Sequence, residues 1–297
     1  MHLLAAFLIP FCDAINTILE NVLSTRTFKQ PTTMVFYISV SSALFVPLVF
    51  FFGFPTLPSF ELLLYYIAVA AIRVGYLYPY FLALKVIDTS IVAALFALGQ
   101  ISVPIVSYFW LGEVLDFTQY IGFGIIILCS LVLSAKGTKI PKLSKAFYYM
   151  CVAAIIRSMG CVFEKYALNT DANWINLVAY SSAFAGIMPF VFLIIGKWRR
   201  DIVLNFSPYY NKLKYFVVIE FVSFTALFAE IFALTGVSPV LTTAISATVP
   251  MFVLAMSFVV CKCFGGCLHE ETAPGAIRKK VLCFVWIVLG VILVTTP

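Results

Sequence analysis

The sequence predicts an all-α membrane protein with ten transmembrane helices in two inverted five-helix repeats. The first observation is composition: of 297 residues, 63% are hydrophobic and only 11% are charged, whereas a soluble domain of this length needs a far more polar surface. The second is that the hydrophobic residues fall into runs of about 20, enough for a helix to cross a hydrocarbon core of roughly 30 Å. The third is that matching residues recur at constant offsets in the two halves.

Ten apolar runs are separated by short polar stretches, and each is predicted to be a helix. Backbone polar groups in lipid must be satisfied within a helix or a closed barrel, and the alternating pattern of a barrel does not occur here. Pro31 and Pro55 bound the second run, and Thr89 and Ser90 can cap the fourth. The first run lacks a basic leader and a cleavage site, so we expect a spanning helix rather than a signal peptide. The predicted segments are 2–24, 32–53, 60–84, 88–111, 116–134, 146–168, 173–196, 212–234, 238–260 and 278–296.

The polar stretch 135–145, which carries four lysines, is predicted to link a first repeat, residues 1–134, to a second repeat, residues 146–297. Residues 47–50 (PLVF) in the second segment correspond to residues 189–192 (PFVF) in the seventh. An odd number of helices per repeat inverts one half relative to the other. In such folds the solute site lies near the membrane midplane, between the repeats.

Residues 82–134 form a predicted membrane hairpin of two apolar runs joined by a tight acidic turn. Its distinctive residues are Ala83-Leu84, the small-residue run 90–94, Leu111-Gly112-Glu113, Gln119 and Gly122. This pattern resembles the EamA family of the drug/metabolite transporter superfamily. The resemblance implies ten helices in two five-helix repeats that move a small solute through a central cavity.

The two halves follow the family pattern unequally. A proline that the family places in the fourth helix of each repeat is present as Pro250 in the second half. The first half has Gln100 at that position and a proline one turn later, Pro104. In the closing helix of each half, Cys129 and Gly290 occupy equivalent positions.

Ionisable residues inside the apolar runs are expected to carry the chemistry, because each is costly to place in lipid. Asp13, Asn16 and Glu20 share one face of the first helix by their spacing. Arg157 and Glu164 stand at the equivalent positions of the sixth helix. The two repeats therefore present polar stripes at matching depths. At the deeper position, the acid Asp13 of the first repeat corresponds to the base Arg157 of the second.

Three further helices add polar groups to the predicted cavity. Arg73 shares a face of the third helix with Tyr76 and Tyr80. The eighth helix contributes Glu220, and the ninth aligns small polar residues on one face. The residues predicted to bind solute are Asp13, Asn16, Arg73, Tyr76, Tyr80, Gln100, Arg157, Glu220, Thr243 and Ser246.

Both signs of charge in one cavity suit a zwitterionic solute. An arginine fork matches a carboxylate or phosphate, a buried carboxylate can hold an amine or carry a proton, and tyrosines add hydroxyls and flat apolar faces. We therefore expect a secondary transporter in the cell (inner) membrane that moves an amino acid or similar amphoteric solute by alternating access. Its expected partners are that solute, the lipid bilayer and a coupling proton.

Other function classes fit the sequence less well. No cofactor is expected, no nucleotide-binding loop is present to supply ATP drive, and the formal charge of +6 lies in short loops rather than in a nucleic-acid surface. Exchange of an anionic or nucleotide-linked solute would need basic residues to dominate the cavity. An intramembrane enzyme would need clustered His or paired Asp residues, whereas the two histidines, His2 and His269, lie at predicted edges. A non-transporting structural or signalling protein would not need the repeat or the midplane charges.

Structural interpretations of the charged residues also stay open. Arg73 can form a permanent ion pair with Asp13 or Glu220. Three glutamates near predicted helix ends are expected to reach the membrane interface: Glu20, Glu164 and Glu230.

A cysteine-rich stretch precedes the last helix. Cys261, Cys263, Cys267 and His269 bear ligand types suited to zinc, but their spacing matches no defined site. A cysteine-rich helix end is the favoured interpretation, with acylation of one thiol as another, and no metal site is predicted.

The loop charges predict an orientation that disagrees with the family. Sixteen of the 19 lysines and arginines fall in the loops after odd-numbered helices or at the adjoining start of the next helix, so the positive-inside rule places both termini outside the cytoplasm. The family resemblance implies termini inside. From the charges we expect a reporter enzyme that works only in the cytoplasm to be inactive when fused after Pro297. Activity of that fusion would overturn the outside assignment.

Overall fold

The structure, a computed structural model, describes residues 1–28, 30–85, 92, 96, 102–112, 114–134, 145–171, 173–253, 255–256 and 274–295. Every regular element in these residues is a helix, which confirms the all-α prediction for this part of the chain. The helices are α1 (His2–Arg26), α2 (Pro31–Ala43), α3 (Phe60–Gly75), α4 (Leu77–Leu84), α5 (Ser102–Leu111), α6 (Phe117–Ser134), α7 (Lys145–Asp171), α8 (Trp174–Ile187), α9 (Gly196–Leu204), α10 (Phe206–Asn211), α11 (Leu213–Gly236), α12 (Pro239–Ser246) and α13 (Pro274–Thr295).

The helices follow the predicted apolar runs. Within the described ranges, five segments are long and apolar enough to cross a membrane: His2–Ser24, Pro31–Phe51, Phe60–Leu84, Trp174–Ile194 and Leu213–Gly236. Shorter apolar helices occupy Ser102–Leu111, Phe117–Cys129, Pro239–Val253 and Val285–Val294. The predicted sixth segment is the 27-residue α7, whose interior carries charged residues. These segments indicate an integral membrane protein, and the count of ten spans stays a prediction.

Part of the predicted organisation lies outside the described residues. The fourth segment, 88–111, is described only at Val92, Phe96 and α5, and the linker 135–145 only at Lys145. Glu113 and the cysteine-rich stretch 261–269 are not described.

Two short helices, α9 and α10, replace the loop predicted between the seventh and eighth segments. They dock against α2. Tyr37 stacks on Tyr209 with ring centroids 4.2 Å apart, and its hydroxyl donates to the carbonyl oxygen of Ile202 at 2.6 Å. The Tyr209 hydroxyl lies 2.8 Å from the Ser41 hydroxyl. The sequence of this region is polar and lacks a continuous apolar run, so its helices were not predicted. Aromatic contacts with α2, a distant part of the chain, hold them in place.

The helices α2 and α8 change geometry at equivalent prolines. Each becomes a 3₁₀ helix at its carboxyl end, over Val46–Phe51 and Met188–Ile194, with the proline in the first turn of that 3₁₀ helix. A proline has no N–H to donate to the preceding turn, so the regular α-helical ladder breaks there. The sequence match between 47–50 and 189–192 therefore coincides with a matched change in backbone geometry.

These two helices cross in opposite directions. Near one end Phe36 packs on Phe190, with ring centroids 5.4 Å apart. In the middle Gly186 lies so close to Ala43 that a Cβ on the glycine would overlap the alanine side chain. Beyond the other end, the backbone N–H of Thr56 donates to Asn176 at 2.8 Å. Equivalent helices of two inverted repeats are expected to run in this way.

The helices α6 and α13 also cross closely, at two glycines. A Cβ on Gly122 would stand 2.7 Å from the Gly290 carbonyl oxygen, and one on Gly290 would stand 2.9 Å from the Gly122 carbonyl oxygen. One turn or more away, the Cys129 thiol forms a hydrogen bond with Cys283. Cys129 and Gly290 are the residues predicted to be equivalent in the two halves, so a twofold relation between the halves would be expected to exchange these two contacts.

We expect Gly122→Ala to destabilise the protein by about 1–3 kcal/mol, because the added methyl group overpacks a backbone-to-backbone contact. Gly124→Ala is the matched control: it lies in the same helix, and a Cβ there would meet nothing within 4 Å. That change should be neutral or slightly stabilising, since alanine favours a helix over glycine. Thermal unfolding of both variants in detergent tests this. Equal melting temperatures would contradict the close packing of α6 on α13.

The remaining long helices bring the two halves together around the centre. The helix α1 packs along α11, where His2 stacks on Phe232 with ring centroids 4.7 Å apart. The helices α3 and α4 pack on α7, with Gly160 against Ile72. Each of these contacts joins the first half to the second. Side chains that point inward from both halves therefore meet in one central region.

Candidate functional site

A cavity of about 250 Å³ lies in this central region, with walls from α1, α2, α3, α4, α7, α8, α11 and α12. Its lining includes nine of the ten residues predicted to bind solute. Gln100, the tenth, lies outside the described residues. The nine are Asp13, Asn16, Arg73, Tyr76, Tyr80, Arg157, Glu220, Thr243 and Ser246.

The first charged pair of the site joins the two halves. Arg73 of α3 donates from Nη2 and Nε to the Glu164 Oε1 atom of α7, at 2.7 and 3.0 Å. The Glu164 side chain is fully buried. The predicted alternatives, in which Arg73 pairs with Asp13 or Glu220, are therefore wrong for this conformation. The physical reason is the packing of α7 on α3, which brings Glu164 next to the guanidinium.

The second charged pair lies within the second half. Arg157 of α7 donates from Nη1 and Nη2 to the two carboxylate oxygens of Glu230 on α11, at 3.1 and 2.8 Å. This fork-to-fork arrangement is the strongest geometry for an arginine and a carboxylate. The guanidinium carbon also lies 6.0 Å from the centroid of the Tyr76 ring. Helix α7 therefore supplies one member of each ion pair, an acid facing α3 and a base facing α11.

The prediction that Glu20, Glu164 and Glu230 reach the membrane interface is wrong. All three side chains are buried, and Glu20 accepts a hydrogen bond from the Tyr80 hydroxyl at 2.8 Å. The helices continue past the predicted ends, to Arg26, Asp171 and Gly236. Each glutamate therefore has at least one further helical turn between it and the helix end, and each finds a polar partner inside the protein.

Two carboxylates of the site form no ion pair with the residues that the structure describes. Asp13 on α1 forms no ion pair there, although its backbone carbonyl accepts from Thr17 at 2.7 Å. Glu220 on α11 is 2% exposed, and its Oε1 atom has no hydrogen-bond partner. Asn16 lies between the two helices: its amide nitrogen donates to the Ser223 hydroxyl at 3.0 Å, which leaves its oxygen without a donor.

Small hydroxyl residues were the main part of the lining that sequence reasoning missed. Ser39 on α2 and Ser182 on α8 are buried, line the cavity, and have side-chain oxygens without partners in the described part of the chain. A signal existed, since both lie on the two helices whose sequences match. Thr243 and Ser246 were predicted and do line the cavity, but their hydroxyls bond to carbonyl oxygens of their own helix at 2.8 and 3.0 Å.

Three aromatic rings form one wall. Tyr76, Tyr80 and Phe96 lie with their ring centroids 5.4 to 6.3 Å apart. The Tyr80 hydroxyl is committed to Glu20. The site thus combines flat apolar faces with charged and hydroxyl groups, which is the usual make-up of a small-molecule site.

A second polar cluster ties four segments together at one end of the bundle. The Asp171 Oδ2 atom accepts from the Tyr66 hydroxyl at 2.7 Å and from the Asn176 amide at 2.9 Å. The Asn176 amide also reaches the Thr56 hydroxyl at 2.9 Å, and the Tyr180 hydroxyl donates to the Thr56 carbonyl oxygen at 3.0 Å. This network fixes the ends of α7 and α8 against α3 and the loop that precedes it.

Metal ligation has no support in the described residues, where no group of three or more His, Cys, Asp or Glu side chains is arranged to hold an ion. The segment 261–269 lies outside that statement. Cys12 and Cys161 are both buried, and Cys161 belongs to an apolar cluster, as a small hydrophobic residue does.

Comparison with known proteins gives one family and one fold. No curated protein matches the chain. A solved structure, described only as the crystal structure of a protein, superimposes with a TM-score of 0.64 at 15% identity, over 98% of this chain and 96% of that one. At this identity the likeness shows the fold alone. Residues 1–135 match the model of the EamA-like transporter family. This match confirms the resemblance to the EamA family drawn from residues 82–134.

Proposed function

We propose that this protein is a secondary transporter that moves a small amphoteric metabolite across a membrane by alternating access, with an amino acid as the simplest such solute. The observation that carries the proposal is the central cavity. Its walls come from both halves of the chain and hold both acids and arginines. Charged side chains inside membrane-spanning helices are costly, and they are retained where they contact a solute or an ion.

The size of the cavity favours a small solute. Its volume of about 250 Å³ lies just below the range of roughly 300–1,000 Å³ that is typical of sites for drug-sized ligands. A metabolite with the dimensions of an amino acid fits this space. A nucleotide-linked solute would need a cavity of larger volume. In addition, the guanidinium groups that would bind its phosphates already form ion pairs with Glu164 and Glu230.

Two inverted five-helix repeats, 1–134 and 146–297, supply the mechanism of this proposal. Three observations support them: the 3₁₀ ends of α2 and α8 at equivalent prolines, the opposite directions of these helices, and the paired contacts between α6 and α13. Rocking of one repeat against the other exposes a midplane site first to one side of the membrane and then to the other. The Arg73–Glu164 pair lies across the repeats, so its geometry would change with each stroke.

Reconstituted vesicles loaded with a panel of amino acids test the function. We expect Asp13→Asn to reduce transport to background, because a carboxylate can neutralise a solute ammonium group or carry a proton, whereas its isosteric amide is uncharged and does not titrate. Arg73→Ala should do the same, because it breaks the ion pair with Glu164 that joins the two halves. Glu61→Gln is the matched control, since Glu61 is an exposed acid in the first turn of α3. Wild-type transport by both site variants at normal incorporation would refute the role of this cavity.

A further inference from the structure

The cationic side chains that line the cavity are already neutralised. Arg73 holds Glu164, and Arg157 holds both oxygens of Glu230. An anionic group of a solute would have to displace a buried carboxylate from either guanidinium. Breaking a buried pair of this kind is costly, because it leaves a charge without its partner. In this conformation the arginines therefore offer little to an anion.

The ionisable side chains of the cavity that are not in these two ion pairs include three carboxylic acids. Asp13, Glu20 and Glu220 line it and form no ion pair with any described residue. Glu20 and Glu220 are electrostatic neighbours, and so are Glu20 and Asp13. These acids belong to α1 and α11, the two helices that pack along each other through the centre of the protein. A cation between these helices would favour the ionised carboxylate form of these acids.

Unpartnered oxygen acceptors point to the same ligand. The Glu220 Oε1 and Asn16 Oδ1 atoms belong to side chains that are 2% and 8% exposed, and neither has a donor among the described residues. A buried acceptor without a donor costs roughly 1–3 kcal/mol. An ammonium group offers three hydrogen-bond donors and one positive charge. It can therefore donate to these unpartnered oxygens and also act as the counter-ion of the carboxylates.

The aromatic wall completes the match. The Arg157 guanidinium lies over the Tyr76 ring, 6.0 Å from its centroid, so a solute cation would use the other ring faces of this wall. Tyr80 and Phe96 extend this surface. Aromatic faces attract organic ammonium ions electrostatically and also cover their methylene groups.

We propose that the cavity selects a small organic ammonium ion with net positive charge, such as a diamine or a basic amino acid, and that Asp13 and Glu220 are its counter-charges. The proposal rests on the proposed function, because it names the charge class of the solute that the same cavity would carry. It goes further in predicting that a second amine improves binding and that a second carboxylate abolishes it.

Calorimetric titration of the purified full chain in detergent tests the selection directly. The probes are putrescine and lysine as cations, alanine as a zwitterion, and succinate as an anion. We expect both cations to bind more tightly than alanine, and succinate not to bind. Asp13→Asn and Glu220→Gln should each weaken putrescine binding roughly tenfold or more, the loss of one charge-assisted contact. Glu61→Gln should bind as the wild type does.

Folding and transport are read separately from binding. Both site variants are isosteric, and their melting temperatures without probe show whether each is folded. Putrescine binding that depends on Asp13 and Glu220, without flux of labelled putrescine into vesicles, would uphold the ammonium site and refute the transport function. Flux of alanine or succinate without binding of either cation would uphold transport and overturn the ammonium site. Cation binding that Glu220→Gln leaves unchanged would overturn it as well.

Discussion

Arg73→Met alone is expected to destabilise the protein by about 3–5 kcal/mol, because it leaves a fully buried carboxylate without its cation. In the native structure the guanidinium meets Glu164 Oε1 at 2.7 and 3.0 Å, and the Glu164 side chain has no exposed surface. The second oxygen of Glu164 has no hydrogen-bond partner among the described residues, so no other hydrogen bond there would replace the lost pair. Thermal unfolding in detergent measures the effect.

The double variant, Arg73→Met with Glu164→Met, separates stability from function. Apolar replacement of both members of a buried ion pair is often neutral or stabilising, so we expect most of the lost stability to return. Transport should stay absent, because the two halves would no longer be joined by an ion pair whose geometry changes during the transport cycle. Full transport by the double variant would show that the Arg73–Glu164 pair stabilises the structure and has no part in transport. A single variant as stable as the wild type would show that the pair is not formed.

Charge reversal at the other pair is expected to have an effect of similar size. Arg157→Glu places a second carboxylate against Glu230, and Glu230→Arg places a second guanidinium against Arg157. Each leaves two like charges within the bundle, where their repulsion is poorly screened, so we expect each to lower stability by several kcal/mol. Combining the two restores opposite charges, and the double-mutant cycle should show a favourable coupling energy of about 1–3 kcal/mol.

The readout for this exchange is again melting temperature, accompanied by transport. The exchanged pair removes the cation from the face of Tyr76, where the Arg157 guanidinium lies 6.0 Å from the ring centroid. We therefore expect stability to recover further than transport does. Additive losses in the double variant would contradict the direct contact between the two side chains.

The sequence predicted which charged residues line the central cavity better than it predicted the contacts between them. Asp13, Arg73 and Arg157 stand inside apolar runs, where burial toward the protein is the only inexpensive orientation. That constraint is strong enough to place them around one cavity without knowledge of the fold. It contains no information on which acid meets which base. Glu164 and Glu230 took those roles because of how α7 packs between α3 and α11.

Weak sequence signals account for what was missed. A serine such as Ser39 or Ser182 is common in membrane helices and costs little, so its presence does not mark a cavity. The helices α9 and α10 are short and polar, and their positions depend on contacts such as the Tyr37–Tyr209 stack. The resemblance drawn from residues 82–134 found the family, because the turn and small-residue pattern is local. Partner choice and docking depend on residues far apart in the chain.

The close crossing of α6 on α13 has a consequence for how the protein could change its substrate. No described residue of either helix lines the central cavity, and many of their side chains face outward. Substitutions on the cavity-lining helices can thus change the solute preference while the contact between α6 and α13 stays the same. Directed libraries aimed at new substrates should spare both helices, and variants recovered there are expected to alter expression level rather than selectivity.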